Sequence, residues 1–155
     1  MPARSRALRY TAWTALAVLA FFLLAAADLA LRSRSAMKRG DKFYYWLTRP
    51  DDKKAYFDGL YKSRAEKITR DAEAGRLSAA ETARQTELAA AERDFRLQES
   101  SAKQAYIWYR TAAEDFRSPL NPWAAEASAK ADSALAAWKE ELKRRGVTAE
   151  DWMLR

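Results

Sequence analysis

The chain has 155 residues, 28 Lys or Arg against 21 Asp or Glu, and neither cysteine nor histidine. These absences exclude a disulfide framework, a thiolate nucleophile, an imidazole base and the usual ligands of transition metals. Only four glycines and four prolines interrupt a composition rich in alanine, arginine and glutamate, so the expected fold is all-α and of one-domain size.

The net charge of +7 is unevenly spread. Residues 1–50 hold nine basic side chains against Asp28 and Asp41, which accounts for the whole excess. Residues 51–155 hold nineteen of each sign. A nucleic-acid module carries its basic footprint on the folded domain. Here the surplus brackets an apolar segment, where membrane topology signals belong, so no nucleic acid is expected among the partners.

Residues 1–9 form a basic tail with Arg4, Arg6 and Arg9. The segment 10–31, "YTAWTALAVLAFFLLAAADLAL", has no charge from Tyr10 through Ala27. About 20 apolar residues cross a ~30 Å hydrocarbon core at 1.5 Å each, so the segment is read as a transmembrane helix. Tyr10 and Trp13 suit one interface, and Asp28 lies close enough to the other end to reach water. A second reading stays open. A basic n-region, an apolar stretch from Ala15 to Leu24 and Ala25-Ala26-Ala27 before Asp28 also make a cleavable signal peptide. The basic tail favours N-inside insertion, with the remainder on the extracytoplasmic side of a bacterial inner membrane. The basic residues up to Lys42 pull the other way.

Residues 32–47 interleave cations with aromatics, ending in "KFYYWL". Lys38, Arg39 and Lys42 suit anionic headgroups, and Tyr45 and Trp46 suit the boundary beside them. That arrangement requires a bend near Gly40, because a straight helix carries Phe43 roughly 18 Å beyond Leu31. The competing expectation packs Phe43, Tyr44 and Trp46 onto a helical hairpin.

Residues 48–155 read as a soluble helical domain. Thr48 is the expected cap of its first helix, with Pro50 and Asp51 in the first turn. Phe57, Leu60, Arg64, Ala65, Ile68 and Ala72 recur at helical spacing, and Gly75 supplies the stop. Ser78 and Glu81 then make a capping box. This "EAGRLSAAE" turn resembles the hairpin turns of bacterial membrane-anchored assembly proteins, including one of cytochrome c maturation. Capping residues alone account for the likeness.

No Pro or Gly occurs from Arg76 to Ser118, so one long coiled-coil-like helix is expected. Leu88, Phe95, Ala102, Tyr109 and Phe116 repeat every seven residues, faced by Ala91, Gln98, Ala105 and Ala112. The seam is expected to be covered within a three-helix bundle, with a second copy of the chain as another candidate partner. Asn121 caps the last helix, whose stripe is Trp123, Ala127, Ala131, Ala134, Trp138 and Leu142, and Gly146 closes it. Gln104 to Ala136 resembles one tetratricopeptide-like helix pair. Ala105, Tyr109, Ala112, Phe116, Pro119 and Ala127 fall near its small, aromatic and proline positions. The small residue one turn before the tyrosine is missing, and no second copy follows. The resemblance implies protein or peptide binding.

The acidic pairs Asp51-Asp52, Glu114-Asp115, Glu140-Glu141 and Glu150-Asp151 are adjacent on helices and point about 100° apart, so they make no chelating face. No phosphate-binding loop, nucleophile elbow or Walker pattern occurs. The expectation is a non-enzymatic, single-pass scaffold or accessory subunit without cofactor or metal. Its partners are membrane lipid and other membrane-complex proteins. The alternative is a periplasmic helical binding protein released from a signal peptide.

Overall fold

The computed structural model describes residues 2–116 and 121–147, with side chains from Tyr10 onward, and these residues are all-helical, with no strand among them. Helix α1 spans Pro2–Thr48, α2 Pro50–Glu73, α3 Ala79–Gln98, α4 Ser101–Arg110 and α5 Ala124–Arg144. A π-helical turn, Thr111–Asp115, extends α4. The chain divides into two compact units, 1–40 with 106–133 and 41–105 with 134–155. The division falls inside α1, α4 and α5.

In the first unit, α1 turns one face inward at Ser33, Ala36, Met37 and Gly40, the spacing of a helical stripe. Opposite lie Tyr106, Tyr109, Ala112, Ala127 and Ala131. Small residues let the backbones approach around one large ring. A Cβ at Gly40 would stand 2.5 Å from Tyr109 Cδ1, inside any tolerable contact. Ser33, fully buried, donates its hydroxyl to the Ala112 carbonyl at 2.8 Å, which ties α1 to the π turn. Asn121 donates to the Phe116 carbonyl and accepts from the Trp123 amide, but it is not the cap of α5: the helix begins at Ala124, with the Ala127 amide bonded to the Trp123 carbonyl, so Asn121 orders the turn before it.

In the second unit, α2 and α3 pack along one another as a hairpin, with Ile68 and Ala89 buried. The turn is closed as expected. Gly75 adopts φ +70°, the Arg76 amide reaches the Asp71 carbonyl, and Ser78 accepts from the Glu81 amide. Gly146, at φ +71°, likewise closes α5. Thr48 is not the cap of α2. Arg49 occupies that position without a side-chain cap, while the Thr48 hydroxyl donates to the Tyr45 carbonyl. Pro50 at the first position, which has no amide proton to satisfy, starts the helix instead.

Two further expectations need correction. First, Gly40 does not interrupt α1. Helix continues through residues 31–48, and Gly40 is a packing site for Tyr109. Second, the single long helix is two helices. The chain leaves helical geometry at Glu99 (ψ 132°), and Ser100 restarts it by accepting from the Lys103 amide at 3.1 Å. No glycine or proline is needed, since a serine cap and an outside donor satisfy the released groups. That donor is Lys53 of α2, whose Nζ reaches the carbonyls of Leu97 at 3.2 Å and Glu99 at 2.6 Å.

Candidate functional site

From Tyr10 to Ala25 every residue of α1 is exposed, including Trp13, which is 70 % accessible. The helix that carries this stretch is the one helix among the described residues long and apolar enough to cross a membrane, its most apolar window of 18 residues having mean hydropathy 2.3. A signal sequence meets the same test of length and composition, and so does the core helix of a soluble protein. A core helix is mostly buried, whereas none of this window is. Thr14 donates to the Tyr10 carbonyl, and Arg32 pairs with Asp28 at 2.8 Å where the stretch ends.

The basic and aromatic residues that follow sort into distinct environments. Lys38 and Arg39 are exposed. The Arg39 guanidinium lies 4.6 Å from the centre of the Trp108 ring, and that of Arg34 lies 5.6 Å from Trp123. Further along, the Lys42 ammonium sits 4.6 Å from Trp46 and 3.9 Å from Tyr56. Trp46 is only 5 % exposed and packs against Phe43, Tyr56 and Phe57, so this ring belongs to the core of the second unit. Tyr45 stays at the surface, donating to Asp52 and accepting from Arg49. The aromatic run thus divides by helical phase. Phe43 and Trp46 turn inward, three residues apart, while Tyr44 and Tyr45 remain exposed.

The heptad seam divides as well. Leu88 and Phe95 are 57 % and 60 % exposed, and Ala91 and Gln98 on the same face are open too. The hairpin buries a different face of α3, centred on Ala89. Past the break, Ala102, Ala105, Tyr109 and Ala112 are buried and Phe116 is half-buried. Trp138 of α5 is half-buried, with the Lys103 ammonium 5.6 Å from its ring.

Sequence reasoning missed Lys53. It is buried beside a cleft of about 430 Å³ lined by Trp46, Pro50, Glu99, Ser100, Glu141 and Arg145. Burial lowers its pKa from the usual lysine range, opposed by the nearby carboxylates of Glu99 and Glu141. Ser100 donates to Glu141, which also pairs with Arg145. The group closes the broken end of α3, and its lone sequence signal was the pair of serines at 100 and 101. No family model, curated protein or solved structure matches the chain.

Among the described residues, no three acidic side chains gather into a set that would hold a metal ion. Asp52 is engaged by Tyr45, Glu114 by Arg110, and Glu141 by Ser100 and Arg145. Glu150 and Asp151 lie outside the described residues. A smaller cleft of about 230 Å³ opens between α2 and α3, beside Leu60, Tyr61, Arg64 and Arg93. Its charged groups are all paired, Arg64 with Glu92, Arg93 with Asp94 at 2.6 Å and Arg96 with Glu99 at 3.1 Å.

Proposed function

We propose that the chain is a single-pass, membrane-anchored helical scaffold or accessory subunit that binds other proteins of a membrane complex. The observation that carries this reading is the continuity of α1. One helix presents a bare apolar surface from Tyr10 to Ala25, then buries Ser33, Ala36, Met37 and Gly40 in a folded unit. Fully burying one Leu or Phe is worth about 1.5–3 kcal/mol, so this surface strongly favours leaving water for a bilayer. The open apolar residues Leu60, Leu88 and Phe95 supply a surface for protein contact. The same proposal puts the domain outside the cytoplasm, on the inner membrane, and what supports this side is the basic N-terminal tail, which favours staying inside.

A second reading is a periplasmic helical binding protein released by cleavage after Ala27. It is favoured by the position of the buried face of α1, all of which lies downstream of that site and would survive the cut. The intact mass of the membrane-extracted chain decides between the two. The anchor requires a mass that includes Tyr10 to Ala27, whereas a chain beginning at Asp28 overturns it.

Sidedness is open to a clean test, because the chain has no native cysteine. Ser78→Cys in the hairpin turn should react with a membrane-impermeant maleimide in intact spheroplasts, and Ser5→Cys only after lysis. The reverse pattern puts the domain in the cytoplasm. For the scaffold role, a photo-crosslinker replacing Phe95 should give discrete protein adducts in cells that one at Arg76 does not. Equal smears from both positions, or no adduct, remove the assignment of this face.

A further inference from the structure

We propose that the first turns of α1 beyond its apolar stretch form a collar that binds the phosphate groups of anionic phospholipids. Arg34 and Arg39 are held ready by Trp123 and Trp108. The proposal rests on reading α1 as the anchor.

At about 100° per residue, Arg34 flanks one side of the buried face marked by Ser33 and Gly40, Arg32 and Arg39 flank the other, and Lys38 lies on the far side of the helix. All four are exposed. Arg32 is paired with Asp28, whereas no carboxylate pairs with Arg34, Lys38 or Arg39 among the described residues. The two guanidiniums lie over tryptophan rings on the facing elements of the same unit. A guanidinium held over a ring still has N–H groups turned away from it, and these can grip a phosphate with two parallel hydrogen bonds. It also restricts the side chain before the ligand arrives, which lowers the entropy lost on binding.

The heights fit. Arg34 lies about 4.5 Å past Leu31 along the axis and Arg39 about 12 Å. The headgroup layer is about 5–8 Å deep on each side of the hydrocarbon, and arginine stems extend several ångströms toward it. Trp123, beside Arg34, falls at the level where tryptophan belts form. A lipid headgroup is favoured over free phosphate because the collar directly adjoins the apolar stretch that would bring lipid to it.

The test uses the full chain, reconstituted in mixed phosphatidylcholine and phosphatidylglycerol nanodiscs. Native mass spectrometry counts the lipids retained after release, and resistance to alkaline carbonate extraction reports insertion. The inserted chain should retain phosphatidylglycerol preferentially, and excess inorganic phosphate should not strip it. Arg34→Gln with Arg39→Gln should reduce the preference by roughly fivefold or more while insertion and helical dichroism persist. Arg34→Lys with Arg39→Lys, which keeps charge but loses the planar edge, should fall between. An inserted chain with no anionic preference overturns the collar, as does a glutamine variant equal to the parent or removal by free phosphate. A chain that carbonate extracts overturns the anchor reading itself, and the collar with it.

Discussion

Tyr109 and Gly40 fit one another so closely that a single methyl group has a predictable sign. An alanine in an ordinary helix position is more favourable than glycine by about 0.5–1 kcal/mol. At Gly40 the added Cβ would meet the Tyr109 ring, so Gly40→Ala should destabilise the chain by about 1–3 kcal/mol. Gly59, exposed on α2, has nothing within 4 Å of an added Cβ, and Gly59→Ala should stabilise by about 0.5–1 kcal/mol. Thermal unfolding of the detergent-solubilised chain checks both. A rise in midpoint for Gly40→Ala would mean that the two helices are not in contact there.

Lys53 gives a prediction in pH. Its folded pKa is lowered by burial, so between that value and the unfolded 10.5 the unfolded chain holds more protons. Stability contributed at this site therefore rises with pH across the window, as the folded amine sheds its charge and keeps N–H donors for Leu97 and Glu99. Lys53→Met should cost about 1.5–3 kcal/mol at neutral pH, because two carbonyls lose a charged donor. The difference in stability between parent and variant should widen as pH approaches 10.5. A constant difference across alkaline pH would show that the amine is not desolvated.

At the scale of elements, the break between α3 and α4 decides what the heptad repeat does. Before it, Phe95 faces outward, and Phe95→Ala should change stability by less than about 0.5 kcal/mol. After it, Tyr109 is 2 % exposed, and Tyr109→Ala should cost about 3–5 kcal/mol. The sequence pattern alone would assign both the same cost. Denaturant titrations of the two variants separate the cases, and a comparable loss at both positions would restore the continuous seam. Ser100→Ala tests the break itself. It removes the cap of α4 and the hydrogen bond to Glu141, and should cost about 1–2 kcal/mol. If it is neutral, the restart of helix at Ser101 does not depend on its cap.

For the whole molecule, periodicity and caps made much of the fold legible. The expected stripe of α5 is the face that turns inward, with Ala127, Ala131 and Ala134 buried and Trp138 half-buried. Gly75, Ser78 and Gly146 act as their residue types predict. These signals are local, since a cap or a left-handed glycine is specified by its own neighbours. Lys53, Ser33 and the Arg–Trp pairs are not legible in this way. Their partners lie 44 or more residues away in sequence, and nothing near them identifies those partners.

The sequence by itself determined the helical class, the hairpin turn and an apolar stretch of spanning length. All three follow from composition, spacing and caps within a few turns of chain. Tertiary structure decided which half of the heptad seam is covered and which members of the aromatic run enter the core. Helix phase offers each side chain a direction, but burial depends on what arrives from elsewhere in the chain. Trp46 is buried because Tyr56 and Phe57 meet it, while Phe95 stays open because α2 takes the Ala89 face of α3.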